Sequence, residues 1–207
     1  HLGVSRSDAR TKAKDLMDRV KIPSAASRID DYPHEFSGGM CQRVMIAMAL
    51  ALDPDLLIAD EPTTALDVTV QAQVMELLMD LKHEIGMGLI LITHDVGVAA
   101  EVADRSIVMY AGRIVETGPT QEIFVSPGHP YSKGLAEAIP HLERQVDRLL
   151  PIKGTPPDPR NIPEGCAFHP RCPHVIERCS TEVPVLRQLT SGRLSACHLA
   201  DEVYRAG

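Results

Sequence analysis

Two adjacent carboxylates, Asp60 and Glu61, follow a short apolar run in the first third of the chain. The run, Leu56 to Ala59, has the length and composition of a buried parallel strand, and open α/β sheets bind ligands at the carboxyl ends of such strands. Asp60 is expected to hold Mg²⁺, which prefers oxygen ligands, and Glu61 to orient or deprotonate an attacking water. Taken alone, the pair is explained equally well as two solvated acids that end a strand.

Two further segments suit a phosphate ligand. Ser37-Gly38-Gly39 precedes a predicted helix, where glycine permits close backbone approach and a helix N-terminus attracts anions. His94 ends a second predicted strand, and an imidazole there can reach a phosphate or position a water. Separately, each has a plainer explanation, which is a flexible helix cap for the glycines and a structural hydrogen bond for His94.

The hydrophobic pattern predicts an α/β fold. A capping box at Ser5–Asp8 starts one helix, and a second helix, apolar nearly all round and therefore expected to be buried, runs from Ser37 to Leu52. The alternation of strands and helices that follows favours a right-handed parallel sheet with helices on its faces. The predicted elements of this part are the strands 56–59 and 89–93, the helices 68–85 and 96–103, and a hairpin over 106–117.

The composition limits the function. The net charge of −7 and the absence of a basic block argue against a nucleic-acid partner. The longest apolar run, Val44 to Leu52, is too short to span a bilayer, and no signal peptide is visible. Five cysteines, of which four cluster near the C-terminus, are typical of a cytoplasmic metal or cluster site rather than a disulfide framework.

The order and spacing of these segments resemble the ABC ATPase family. Phe36–Arg43 resembles its signature motif, Leu56–Glu61 its Walker B motif, Thr64–Asp67 its D-loop, and His94 its switch histidine. The resemblance covers almost the whole chain.

This resemblance implies a head-to-tail dimer with a second, identical or homologous ABC ATPase subunit and ATP sandwiched between the protomers. It makes Glu61 the general base, His94 the γ-phosphate sensor and Asp60 the Mg²⁺ ligand. It further implies two membrane permease subunits and, indirectly, a peptide-binding protein as partners, at the cytoplasmic face of the inner membrane. The remaining residues implied to serve the nucleotide or the dimer interface are Ser37, Gly38, Gly39, Gln42 and Asp67.

The family also requires a phosphate-binding loop of the form G-x-x-x-x-G-K-[ST], and no Gly-Lys pair occurs here. Because the chain also begins at His1 rather than Met, we interpret it as N-terminally truncated. The chain by itself is expected to bind ATP poorly and not to hydrolyse it. A non-catalytic remnant that only dimerises or binds a cluster is the alternative.

Residues in the C-terminal part of the chain restrict the resemblance to a smaller group within the ABC ATPase family. Gly128-His129-Pro130-Tyr131 resembles the motif that opens the C-terminal extension of oligopeptide and dipeptide importer ATPases. Nickel and glutathione importer ATPases share much of this pattern. A DNA-repair ABC protein is disfavoured by the acidic balance and by this extension. The predicted domains are a partial nucleotide-binding domain over 1–118, with a helical subdomain 1–52 and a core 53–118, and the extension over 119–207.

From about Leu149 the extension is expected to be irregular and to need a cross-link to stay ordered. In the resembling subfamily, four cysteines of this extension are associated with an iron–sulfur cluster. Four thiolates can hold a [4Fe–4S] cluster or a structural Zn²⁺, and the cluster is favoured because no close C-x2–4-C pair is present. Free thiols, disulfides and the substitute ligands His169, His174 and His198 are the other possibilities. The four candidate ligands are Cys166, Cys172, Cys179 and Cys197.

Cys41, inside the signature-like segment, departs from the polar or basic residue usual there. A redox effect on dimer closure is one hypothesis, and a neutral substitution is the favoured one.

Overall fold

The computed structural model describes residues 3–138, 152–190 and 192–205. The chain forms two compact units, His1–His94 and Asp95–Gly207, each with its own sheet. Within the described ranges, no helix combines the length and the apolar character needed to cross a bilayer.

The first unit has a parallel two-stranded sheet. Its strands pair with Leu56 opposite Gly88 and Asp60 opposite Ile92, which confirms the predicted strand–helix–strand order. The elements of this unit, in chain order, are α1 (Arg6–Arg19), α2 (Ala25–Arg28), a 3₁₀ turn (Pro33–Glu35), α3 (Gly38–Leu50), β1 (Leu56–Asp60), α4 (Val68–Ile85) and β2 (Gly88–Ile92).

The helix ends follow the capping residues of the sequence. Ser5 accepts a hydrogen bond from the Asp8 N–H at the start of α1, as the predicted capping box requires. Helix α4 has the predicted bounds, because Asp67 caps its start and Gly86, at φ 72°, closes its end in the left-handed conformation.

The expected complete burial of α3 and β1 is wrong. In α3, Leu50 is buried, whereas Met48 is 71% exposed. In β1, Leu57 is buried and Ile58 is 60% exposed. The physical reason is that neighbours cover one side only: α3 packs on α1 and α4 along one face, and alternate strand residues point to opposite faces of the sheet.

The second unit contains an antiparallel four-stranded sheet, in which the strands lie side by side in the order Arg105–Tyr110, Arg113–Pro119, Arg193–Ser195 and Arg187–Thr190. The predicted hairpin is confirmed: Ala111 (φ 47°) and Gly112 (φ 75°) form its two-residue turn, the left-handed pair that matches strand twist. The elements are α5 (Val96–Val102), β3 (Arg105–Tyr110), β4 (Arg113–Pro119), α6 (Thr120–Val125), α7 (Pro130–Glu137), a 3₁₀ turn (His169–Arg171), α8 (Glu177–Thr181), β5 (Arg187–Thr190), β6 (Arg193–Ser195) and α9 (Ala200–Arg205).

The expectation of an irregular C-terminal segment is wrong for residues 187–190 and 193–195, which form β5 and β6. Strand β6 pairs with β4, so the extension joins the sheet of the hairpin, and the predicted boundary at 118 falls inside β4. Leu149, where the irregular segment was expected to begin, lies outside the described residues. The pairing places Arg193 beside Glu116, which is 77 residues earlier in the chain. No local sequence pattern predicts this contact.

A buried ion pair ties this sheet to the loop before α7. The Arg193 guanidinium donates to Glu116 Oε1 from Nη2 at 2.7 Å and from Nε at 3.2 Å, and both residues are fully buried. The same oxygen accepts the N–H of Gly128 at 2.8 Å. Arg193 also donates to the carbonyl of Ser126, and Ser195 Oγ donates to the carbonyl of Gly128 at 2.9 Å. Loop 126–128 is therefore held at several points.

The substitution Arg193→Met is expected to lower the free energy of unfolding by about 3–5 kcal/mol, because it leaves Glu116 as an uncompensated buried charge. Urea denaturation followed by circular dichroism measures the loss. The matched control is Arg178→Met, which removes an exposed pair with Glu182 and is expected to cost less than about 1 kcal/mol. Equal losses for the two variants would contradict the assignment.

Candidate functional site

The carboxyl edge of the parallel sheet brings Glu61 and His94 together. Glu61 follows β1, and His94 lies two residues after the end of β2. The N–H of Glu61 donates to the carbonyl of Ile92 at 2.8 Å, which fixes its backbone to the neighbouring strand. His94 Nδ1 lies 3.2 Å from Glu61 Oε1, so the two residues predicted to be catalytic are in direct contact.

Thr64 holds the other oxygen of the Glu61 carboxylate. Its hydroxyl donates to Glu61 Oε2 at 2.8 Å. The hydrogen bond from Thr64, followed by that from His94, lowers the pKa of Glu61 below its usual value because both favour the ionised form. Glu61 also has φ 45°, a strained value for a residue with a side chain, so the turn imposes the direction of this carboxylate.

Asp60 is the last residue of β1 and is exposed, on the same face of the strand as Ile58. Its carboxylate is open to solvent at the carboxyl edge of the sheet, where an oxygen-liganded cation has access.

The signature-like residues surround the start of α3. Ser37 caps this helix, since its Oγ accepts the N–H of Met40 at 3.3 Å. A Cβ on Gly39 would lie 2.6 Å from Val70 Cγ1, which gives this glycine a packing reason in addition to any ligand contact. Asp67 accepts the N–H of Val70 at 3.0 Å and caps α4. The first turns of α3 and α4 therefore lie side by side.

The structure does not join these residues to Glu61 and His94. Among the described residues, no hydrogen bond links Ser37, Asp67 or Gln42 to Glu61 or His94. The roles assigned to Ser37, Gly38, Gly39, Gln42 and Asp67 by resemblance stay predictions. The role of Cys41 is equally open: its Sγ–H donates to the carbonyl of Pro33 at 3.4 Å.

The four clustered cysteines line one pocket of the second unit. Its other polar walls are histidines, and the buried ring of Phe168 forms part of its apolar wall. The N–H of Cys166 donates to the carbonyl of Cys179 at 2.8 Å, and a Cβ on Gly165 would lie 2.4 Å from that carbonyl. Glycine at 165, with φ 65°, is thus required for the two cysteine segments to approach. The cysteines and histidines of this pocket are Cys166, Cys172, Cys179, Cys197, His129, His169, His174 and His198.

Burial disfavours the ionised form of three of these thiols. It raises the pKa of Cys166 and Cys172, and raises the pKa of Cys197 to about 12, with a smaller contribution from the neighbouring thiols. Backbone N–H groups act in the opposite direction: those of His174 and Leu199 point at the sulfurs of Cys172 and Cys197, two residues earlier in each case. The pocket can hold thiolates only beside a compensating cation.

His129 is buried in the wall of this pocket. Only 1% of its surface is exposed, and burial lowers its pKa to about 4 because the imidazolium would be desolvated. Its ring lies 5.8 Å from the ring of Phe168, which also contacts Tyr110 and Tyr131 at 5.2 and 5.5 Å. Arg171 lies over the Tyr110 and Phe168 rings. This aromatic cluster supports one side of the cysteine pocket.

Comparisons with known proteins agree with the geometry of both units. Residues 2–64 match the family model "ABC transporter", and residues 115–179 match "Oligopeptide/dipeptide transporter, C-terminal region". The dipeptide transport ATP-binding protein DppD of Escherichia coli is 52% identical over 198 residues, 96% of this chain and 61% of the relative. The chain belongs to the ABC transporter family.

Further relatives of this ABC transporter chain have similar names. A Brucella abortus protein named as a peptide import ATP-binding protein is 56% identical over 95% of the chain and 59% of its own length. The oligopeptide transport ATP-binding protein OppD of Salmonella typhimurium is 53% identical over 95% of the chain and 58% of its own length. The chain thus spans about three fifths of the length of the curated relatives it matches.

Solved structures of ABC proteins share the fold. The cbiO1 subunit from Clostridium perfringens matches with a TM-score of 0.54 and 30% identity, over 60% of this chain and 49% of that one. The ATP-binding cassette MJ0796, solved as a dimer bound to ADP and Pi, matches with a TM-score of 0.51 and 31% identity, over 58% of this chain and 51% of that one.

Sequence reasoning missed two side chains of these sites. Thr64 was noted only as part of the D-loop-like segment, although a hydroxyl three residues after Glu61 can bond back to it across a turn. In the sequence, His129 indicates only the resemblance to the importer group. Its place in the cysteine pocket depends on contacts between residues far apart in sequence, which carry no local signal.

The substitution Thr64→Val is expected to raise the pKa of Glu61, because it removes the first of the two hydrogen bonds that favour the ionised carboxylate. NMR titration of the Glu61 side-chain carboxyl measures the change. Thr64→Ser keeps the hydroxyl and is expected to leave the pKa where it is. An unchanged value in the valine variant would show that Thr64 has no influence on this carboxylate.

Proposed function

We propose that this chain is part of the ATP-hydrolysing subunit of an ABC importer for dipeptides or oligopeptides. The observation that carries the proposal is the Glu61 carboxylate, held between His94 at 3.2 Å and Thr64 at 2.8 Å at the carboxyl edge of a parallel sheet. Relatives at 52–56% identity named for peptide import support the substrate class.

The arrangement supports a division of roles in ATP hydrolysis. Glu61 is ionised and oriented, so it accepts a proton from, or aligns, the water that attacks the γ-phosphate. His94 keeps Glu61 in position and offers its free nitrogen toward the developing charge on the phosphate. Asp60 would hold Mg²⁺, which supplies charge neutralisation of the phosphates when bound.

The helix start at Ser37, Gly38 and Gly39 suits the γ-phosphate of a nucleotide bound to a second ABC ATPase subunit, with Gln42 beside it and Asp67 at the dimer interface. Two membrane permease subunits and a peptide-binding protein complete the proposed importer. The subunit would work as a peripheral protein at the cytoplasmic face of the inner membrane.

The substitution Glu61→Gln, made in the complete subunit together with its G-x-x-x-x-G-K-[ST] segment, is expected to lower ATP turnover by about 10²–10⁴-fold, the usual contribution of a general base. ATP binding should persist, because glutamine removes the base and not the phosphate contacts. Turnover and nucleotide affinity are measured separately. The isosteric control Glu76→Gln lies on the exposed face of α4 and should leave turnover unchanged. Full activity of the Glu61 variant would refute the catalytic assignment.

We further propose that the four cysteines of the second unit hold a [4Fe–4S] cluster, with Zn²⁺ as the alternative. They line one pocket, burial disfavours the ionised form of Cys166, Cys172 and Cys197 unless a cation compensates, and backbone N–H groups face the sulfurs of these three. Among the described residues, no group of three or more His, Cys, Asp or Glu is arranged to hold a single metal ion. A [4Fe–4S] cluster takes one thiolate per iron, and the four cysteines supply that number. When bound, the cluster supplies a covalent cross-link and a one-electron redox centre.

Anaerobically purified protein is expected to contain iron and acid-labile sulfide and to show the broad visible absorbance of an iron–sulfur cluster. The substitution Cys179→Ser should abolish this absorbance, whereas Cys41→Ser, in the other unit, should leave it intact. Metal analysis that finds zinc without iron or sulfide would refute the cluster in favour of the alternative metal.

A further inference from the structure

His129 is a buried imidazole whose tautomer is determined by its backbone partner. Its Nδ1 accepts the N–H of Tyr131 at 3.0 Å at the start of α7. A backbone N–H can only donate, so Nδ1 carries no proton, and the single proton of the neutral ring is on Nε2. His129 therefore has one hydrogen-bond donor, on the side of the ring away from its own backbone.

Two other histidines of the pocket already direct a ring N–H at a backbone carbonyl. His169 Nδ1 lies 2.9 Å from the carbonyl of Cys166, and His198 Nε2 lies 3.1 Å from the carbonyl of Glu182. A carbonyl only accepts, so these nitrogens carry the protons. In the neutral rings the remaining nitrogens are unprotonated and have nothing to donate to a sulfur.

The fourth histidine, His174, is exposed to solvent, where water competes for its ring nitrogens. Its contribution to the pocket is its backbone N–H, which donates to Cys172 Sγ at 3.4 Å. Of the four imidazoles that line the pocket, His129 is thus the buried one whose proton is available.

The position of His129 is fixed from both sides in the chain. Gly128, the preceding residue, is held through its N–H by Glu116 and through its carbonyl by Ser195. A Cβ at Gly128 would lie 2.3 Å from Leu189 Cδ1, so the Leu189 side chain packs directly against this glycine. A donor held this firmly pays little entropy when it meets an acceptor in the pocket.

We propose that His129 is a positioning residue for the [4Fe–4S] cluster, donating a hydrogen bond from Nε2–H to a cluster or cysteine sulfur. The inference rests on the proposed cluster, and it gives the histidine of the His-Pro-Tyr segment a role that its burial and helix capping alone do not require. Hydrogen bonds to the sulfurs stabilise the more negative, reduced cluster and so raise its reduction potential.

The substitution His129→Asn separates donation from helix capping. Asparagine is a good N-cap, so its Oδ1 can still accept the Tyr131 N–H, but its side chain is too short to place a donor where Nε2 lies. The variant should retain iron and sulfide, while the ratio of reduced to oxidised cluster at a fixed potential falls by about tenfold, which is about 59 mV for one electron. Redox titration with dithionite, followed by electron paramagnetic resonance of the reduced cluster, measures this shift. His129→Gln, which can reach the sulfur with an N–H, should recover the wild-type potential.

The matched controls are His169→Asn and His198→Asn, which should leave the potential unchanged. A potential equal to wild type in His129→Asn would overturn the inference and would mean that His129 only caps α7. If that variant fails to load, pulsed electron paramagnetic resonance of ¹⁵N-histidine-labelled wild type decides: a weak nitrogen coupling that survives in both control variants supports the inference, and its absence overturns it. Wild-type protein without iron and sulfide would instead refute the cluster itself.

Discussion

The buried pair of Glu116 and Arg193 is the interaction on which the second unit depends. It joins β4 to β6, which are separated by more than seventy residues, and its shared oxygen also holds the N–H of Gly128. Because one carboxylate oxygen accepts hydrogen bonds both from Arg193 and from the loop N–H, the strand pairing and the loop conformation share this acceptor. The same loop leads directly into His129, whose side chain lines the cysteine pocket. A polar interaction inside the sheet thus determines the geometry of a site formed by other residues.

The two candidate sites use charge in opposite ways. In the first unit, the Glu61 carboxylate is exposed and its ionised form is favoured by Thr64 and His94, as the proposed general base requires. In the second unit, burial disfavours the ionised form of Cys166, Cys172 and Cys197, so the proposed cluster would supply the compensating positive charge. We propose the first site for proton transfer and the second for metal ligation.

Some apolar residues of α3 and β1 are exposed because no neighbouring element packs on their side. A strand pattern such as Leu56 to Ala59 reports that the residues are apolar, but whether both faces are covered depends on which elements lie nearby. Within the described residues, Leu57 and Ala59 are covered, whereas Ile58 and Met48 are not. The spacing of apolar residues predicts the type of secondary-structure element, whereas the burial of each of its faces depends on which other elements pack against it.

The sequence by itself determined the longer helices and the two strands of the first unit and placed its carboxylate pair at a strand end. Asp67 and Gly86, which cap helix α4, are both recognisable from local sequence, and the Asp60-Glu61 pair follows an apolar strand pattern. Such signals act between near neighbours, where spacing fixes geometry. Only the tertiary structure decided that β6 completes a sheet and that His129 lines the pocket of Cys166 and its partners. Those facts depend on contacts between distant segments, and on which atom of a hydrogen-bonding group is left free, which no local pattern encodes.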